Sequence, residues 1–164
     1  MTITTSAARA AGVVLSMLLF SACGSSSDTA SSDSGSSKGC DSANAATVNA
    51  ALGTSYGEPA VTTQSDVDVC TYTDNASHLT GIIRFQKNTT HQMFSIARQG
   101  MDASGQKTTD VDGVGDEAYS STFKASSLVP ELNTVVARKG SREVLITASA
   151  PINKETDLAK KFLD

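Results

Sequence analysis

Downstream of residue 40 the apolar positions change period several times, and each change marks an element. Ala45, Val48, Ala51 and Leu52 share one face at helical spacing, with Asp41 as the expected cap and Gly53 as the stop. Val67 to Thr73 alternates instead, valine and threonine against Asp68, Cys70 and Tyr72, as a strand does. Residues 79–85 repeat that period, with Leu79, Gly81, Ile83 and Phe85 on one side. Asp74-Asn75-Ala76-Ser77 between the two runs reads as the turn of a hairpin. Helical spacing returns at Met93, Phe94, Ala97 and Met101, with Asn88 or Thr89 as cap and Gln92, Ser95, Arg98 and Gln99 outside the stripe. Gly100 either ends this helix or costs it about 1 kcal/mol. Residues 117–123, 132–138 and 142–149 read as three further strands. Lys139-Gly140-Ser141 joins the last two, with Gly140 at the position needing positive φ. Pro151 breaks the chain, Asn153 caps, and Leu158, Ala159 and Phe162 line a final helix.

The order α-β-β-α-β-β-β-α, with hairpins separated by helices and no regular βαβ alternation, predicts an α+β fold. A mainly antiparallel sheet of about five strands packs with two or three helices. The helices are expected on one face, with water meeting much of the other. Residues 40–164 make one domain, and no second domain is expected.

The first 22 residues read differently. Arg9 and the terminal amine form a positive end, residues 10–20 an apolar stretch, and Ser21 and Ala22 are small. About eleven apolar residues fall well short of the roughly twenty that span a bilayer as a helix. The segment Leu19-Phe20-Ser21-Ala22-Cys23 resembles the lipobox of bacterial lipoproteins, departing from it at Phe20, where leucine is commoner. The resemblance implies that 1–22 is a lipoprotein signal peptide, that Cys23 carries a diacylglyceryl group, and that the chain is lipid-anchored on the extracytoplasmic face of the cell membrane. An ordinary signal peptide cut near Ala22, leaving Cys23 as a free thiol, is the alternative. Residues 24–39 are nearly all Ser, Gly, Asp, Thr and Ala. They cannot bury enough surface to order themselves, so 23–39 reads as a disordered tether with an r.m.s. span of roughly 20–24 Å.

Composition narrows the function. The chain carries 13 Lys+Arg against 17 Asp+Glu, and loss of Arg9 with the leader moves the formal charge from −4 to −5. A mildly acidic surface with no basic cluster excludes nucleic acid as a partner. Tryptophan is absent, which argues against a carbohydrate platform of stacked rings, although Tyr56, Tyr72 and Tyr119 remain available. Three cysteines leave one over, and acylation of Cys23 leaves Cys40 and Cys70 as an even pair. An oxidising compartment predicts a structural disulfide between them. The alternatives are two buried thiols or a redox site, although no Cys-x-x-Cys spacing occurs.

Asp110-Val111-Asp112-Gly113-Val114-Gly115-Asp116-Glu117 is the densest acidic cluster. Asp110, Asp112 and Asp116 are weak metal candidates, because the calcium-loop spacing fails: Val114 takes the third ligand position and Ser121 the place of the bidentate Glu. The competing reading is a glycine-bent approach to a strand whose carboxylates accept backbone N–H bonds. Gly113 and Gly115 make no phosphate loop, since Ala118 stands where a third glycine belongs. No Gly-x-Ser-x-Gly elbow occurs, and neither His78 nor His91 sits in a catalytic motif. Asn75-Ala76-Ser77 and Asn88-Thr89-Thr90 match the N-glycosylation acceptor pattern, as short polar runs do by chance. No cofactor is expected.

Together these pieces resemble a broad group of small actinobacterial lipoproteins whose domain has no assigned function. The resemblance rests on Cys23 with its Ser/Gly tract, Cys40 before a helix ending Ala51-Leu52-Gly53, and Cys70-Thr71-Tyr72. It continues through Asp112-Gly113-Val114-Gly115-Asp116-Glu117-Ala118-Tyr119 and Val136-Ala137-Arg138-Lys139-Gly140. It implies a cell-envelope location and no known catalysis. The expectation is a non-enzymatic, membrane-tethered binding or interaction module whose partner is another envelope protein or a small ligand. An apolar-ligand carrier needs a cavity between helices and sheet. An envelope hydrolase needs His78 or His91 to meet Ser and Asp in a concave site.

Overall fold

A computed structural model describes residues 39–126 and 130–164. The leader, Cys23 and the tether up to residue 38 lie outside the described residues. Among the described residues, helices α1 (Ala45–Leu52), α2 (His91–Ala103) and α3 (Ile152–Leu163) accompany seven strands. These are β1 (Ala60–Gln64), β2 (Val67–Thr73), β3 (Thr80–Gln86), β4 (Thr108–Asp110), β5 (Glu117–Phe123), β6 (Leu132–Lys139) and β7 (Arg142–Ala148). The fold is α+β. Every strand pair is antiparallel, in the order β1-β2-β3-β7-β6-β5-β4.

The sheet has seven strands rather than about five, because the two edges carry no apolar pattern. All five residues of β1 are exposed, and β4 is only Thr-Thr-Asp. An edge strand is held by its backbone ladder, so hydrophobic period gives no sign of it. With both included, the order becomes α-β-β-β-α-β-β-β-β-α.

The helix ends also shift. Asp41 lies in a 3-10 turn, Cys40–Ser42, and Asn44 caps α1 by accepting from the Thr47 N–H at 2.9 Å. Thr90, not Asn88 or Thr89, caps α2, and Gly100 sits inside that helix. Pro151 occupies the cap position of α3, and Asn153 falls in its first turn.

The expectation of one covered face is corrected too. Ala118, Val135, Ala137, Val144 and Ile146 pack with Val48, Leu158, Ala159 and Phe162 in the main core, under α1 and α3. The alternate positions Tyr119, Val136 and Leu145 pack with Phe94 and Met101 of α2 on the opposite face. Helices therefore cover both sides of the central strands. Opposite the Tyr72 position, Gly81 leaves room for the Tyr56 ring, which a Cβ would meet at 2.9 Å.

Cys40 and Cys70 form a disulfide, both buried, tying the 3-10 turn to the middle of β2. The Tyr72 hydroxyl bonds the Ala43 carbonyl alongside it. Asn49 fastens the chain after α1: its amide donates to the Tyr56 carbonyl at 2.9 Å, and its oxygen accepts from the Tyr56 N–H at 2.8 Å.

Candidate functional site

The acidic glycine loop is built as a plug. Val114 is buried in the main core, flanked by Gly113 at φ 78° and Gly115 at φ 61°. Its carboxylates are spread over separate partners. Asp116 accepts from the Gly140 N–H at 2.7 Å, Asp110 pairs with Arg98 at 2.5 Å, and Glu117 holds Arg138 with one oxygen and His91 Nδ1 with the other at 2.8 Å. Asp112 is exposed. The structure thus does not bring Asp110, Asp112 and Asp116 together, and among the described residues no three His, Cys, Asp or Glu groups converge as metal ligands.

Gly115 has both a left-handed φ and no space, since a Cβ would collide with the Arg138 carbonyl. Left-handed backbone costs a residue with a side chain about 1–2 kcal/mol, and overpacking adds a similar amount. Gly115→Ala is expected to lower stability by about 3 kcal/mol in urea unfolding, whereas Gly113→Ala, with open space around it, loses only the backbone part.

Between this loop and α2 lies a polar cleft of about 290 Å³, lined by His91, Ser95, Arg98 and residues 110–118. It brings His91, Ser95 and Glu117 to one place. His91 has 76% of its side chain exposed and no hydrogen bond to Ser95, whose hydroxyl instead accepts from Gln99 at 3.3 Å. A nucleophile activated by its base needs that missing bond and shelter from water. His78 does not line this cleft: it sits at φ 56° in the β2–β3 turn, its backbone N–H on the Asp74 carbonyl.

The register explains the face beneath α2. Glu117, Arg138, Glu143 and Gln86 form a charged row across β5, β6, β7 and β3. Tyr119, Val136, Leu145 and Arg84 follow, then Ser121, Thr134, Thr147 and Ile82, with Phe123 opposite Leu132 at the far end. Phe94 meets Tyr119 edge-on at 5.0 Å, and Arg98 lies over the same ring at 5.6 Å. All three tyrosines are buried, so none offers a stacking platform. Burial pushes the Tyr119 hydroxyl up to about 12.

Past the Tyr119 row the helix no longer covers the sheet. Met101 and Gln106 on one side and Phe123, Leu132, Thr134, Leu145 and Thr147 on the other bound a groove of about 490 Å³. The Thr134 and Thr147 hydroxyls bond each other at 2.9 Å, leaving one O–H and the remaining lone pairs as the polar groups of the floor. Phe123 is 47% exposed at its rim, and Ile82, beside Thr147, is 37% exposed. Met93 and Ala97, eight and four residues before Met101, fall on the same flank of α2.

Sequence reasoning missed this groove, although a signal existed. Val135-Val136-Ala137 and Val144-Leu145-Ile146 are continuous apolar runs, the mark of strands covered on both faces. No protein-family model, curated protein or solved structure matches the chain.

Proposed function

We propose that this chain is a membrane-tethered extracytoplasmic lipoprotein of the cell envelope, anchored through Cys23, whose domain acts as a non-catalytic binding module. The observation that carries this reading is the groove between α2 and the sheet, an open strip lined mainly by apolar side chains. Isolated apolar side chains on a surface are ordinary, whereas a contiguous strip of them marks a place where something binds. The partner is another envelope protein or a small ligand that lays an apolar group over Leu145, Leu132 and Phe123. A second reading, the apolar-ligand carrier, is favoured by the same groove, because about 490 Å³ falls within the usual size of small-ligand pockets. The hydrolase reading has less to support it: His91 and Ser95 share the polar cleft, but the imidazole is bonded to Glu117 and the hydroxyl to Gln99, not to each other.

Titration with the fluorescent apolar probe N-phenyl-1-naphthylamine tests the groove. The wild-type chain is expected to bind it, and Phe123→Lys, at a half-exposed rim position, to weaken binding about tenfold with little change in urea midpoint. Equal binding by the variant, or none by the wild type, removes the groove as the site.

A further inference from the structure

The two edges of the sheet are protected very differently. β4 is three residues long, and its last residue, Asp110, is tied to Arg98 at 2.5 Å. β1 is five residues, Ala-Val-Thr-Thr-Gln, all exposed, with no charge, proline or glycine inside it. Among the described residues no strand pairs with its outer side, and nothing in the strand discourages pairing. Val61 adds a 56% exposed apolar side chain in register with buried Cys70.

We propose that β1 is a strand-addition edge that accepts an extended segment of a partner polypeptide carrying basic residues at its ends. The argument for that chemistry is charge. Glu58 and Asp66 flank β1, two residues beyond each end, and both are exposed. Each keeps its negative charge while accepting one bond from the chain, Glu58 from the Ala45 N–H at 3.4 Å and Asp66 from the Asn88 amide at 3.0 Å. Asp68 lies opposite Thr63 on β2, its carboxylate accepting the Thr63 hydroxyl at 2.8 Å. Lys87, just past the end of β3, donates its backbone N–H to the Asp66 carbonyl at 2.8 Å. Main-chain bonds along five residues supply affinity in such complexes, and the flanks and alternate side chains supply selectivity.

The same charges disfavour a second copy. Full two-fold antiparallel overlap of β1 with β1 centres on Thr62 and sets Glu58 of each copy opposite Asp66 of the other, like charges facing each other twice. Sliding by two residues relieves this only by shortening the ladder. Residues 24–38 of the chain itself suit the edge poorly, with Thr29 as their one β-branched residue and with Asp28 and Asp33 as acids.

Two synthetic peptides test the proposal on the full chain: acetyl-Lys-Ser-Val-Thr-Val-Thr-Val-Ser-Lys-amide, and the same peptide with Glu at both ends. The lysine peptide is expected to bind at least tenfold tighter at low salt, the gap shrinking as screening rises. Backbone amides on the outward side of residues 60–64 should gain hydrogen-exchange protection, and Val61→Lys should lose most of the binding. Phe123→Lys should bind the peptide normally, which separates this edge from the groove. Equal binding of the two peptides, protection elsewhere, or no binding by either overturns the proposal. So does a peptide-free dimer whose 60–64 amides are already protected, which would assign the edge to a second copy.

Discussion

Replacing Glu155 with methionine is expected to raise stability at pH 7 by about 3 kcal/mol and to remove most of its decline between pH 5 and 9. Glu155 lies on the buried stripe of α3 with Leu158, Ala159 and Phe162, and it is 0% exposed. Neither carboxyl oxygen makes a hydrogen bond of good geometry. Burial raises its pKa from the ordinary 4.5 to about 9, the Ala148 backbone offsetting only a little. The folded state therefore holds a proton that the unfolded chain gives up above pH 4.5. Stability is full below that pH and falls as pH rises, until the folded carboxyl itself ionises near 9. At pH 7 the gap is about 2.5 units, which at 1.36 kcal/mol per unit gives the figure above. Methionine fills a similar volume with no group to ionise. Glu155→Gln removes the titration but leaves a buried amide, so it should flatten the pH dependence with a smaller gain. Urea midpoints at pH 5, 7 and 9 read both effects; an unchanged slope in either variant would show that another group sets it.

Removing the Cys40–Cys70 disulfide is expected to lower stability by roughly 3–4 kcal/mol, the chain-entropy value for a loop of this size. The two cysteines are 30 residues apart, and the loop between them holds α1 and β1. The Cys40→Ala/Cys70→Ala double variant avoids leaving a reactive thiol. Its urea midpoint against the wild type, with and without reductant, gives the measurement. Reductant should move only the wild type. A variant as stable as the parent would mean that the packing of Tyr56, Tyr72 and Val48 closes this loop unaided.

The elements legible in the sequence were those whose side chains alternate between core and water. Residues 67–73 and 117–123 match β2 and β5 to the residue, and β6 and β7 differ by one, because Val135, Ala137, Val144 and Ile146 sit at regular spacing. Leu158 and Phe162 mark α3, whose cap falls two residues before the expected Asn153. Elements without an alternation of apolar side chains, β1 and β4, leave no such trace. The face of α2 is only half legible: Phe94 and Met101 of the expected stripe pack on the sheet, whereas Met93 and Ala97 are exposed and Arg98, expected outside the stripe, lies over the Tyr119 ring. Within the acidic loop, the carboxylate partners depend on which backbone groups the β6–β7 hairpin brings near, a long-range matter that spacing alone does not carry. Glu155 reads as an ordinary polar residue of a helix; only the assembled core makes it buried.

Strand order has a consequence for how the molecule comes into being. β1-β2-β3 and β4-β5-β6 are two separate meanders, and the only strand that joins them, β7, comes after both in the chain. Until β7 is synthesised, β3 and β6 each present a bare edge, and the apolar undersides of both meanders await α3. Pairing of β3 with β7 links residues roughly sixty positions apart, the kind of distant contact that makes assembly slow. A nascent chain lacking its last twenty or so residues thus has no finished sheet to collapse into. Completion of the sheet, and the rigidity that comes with it, waits on β7.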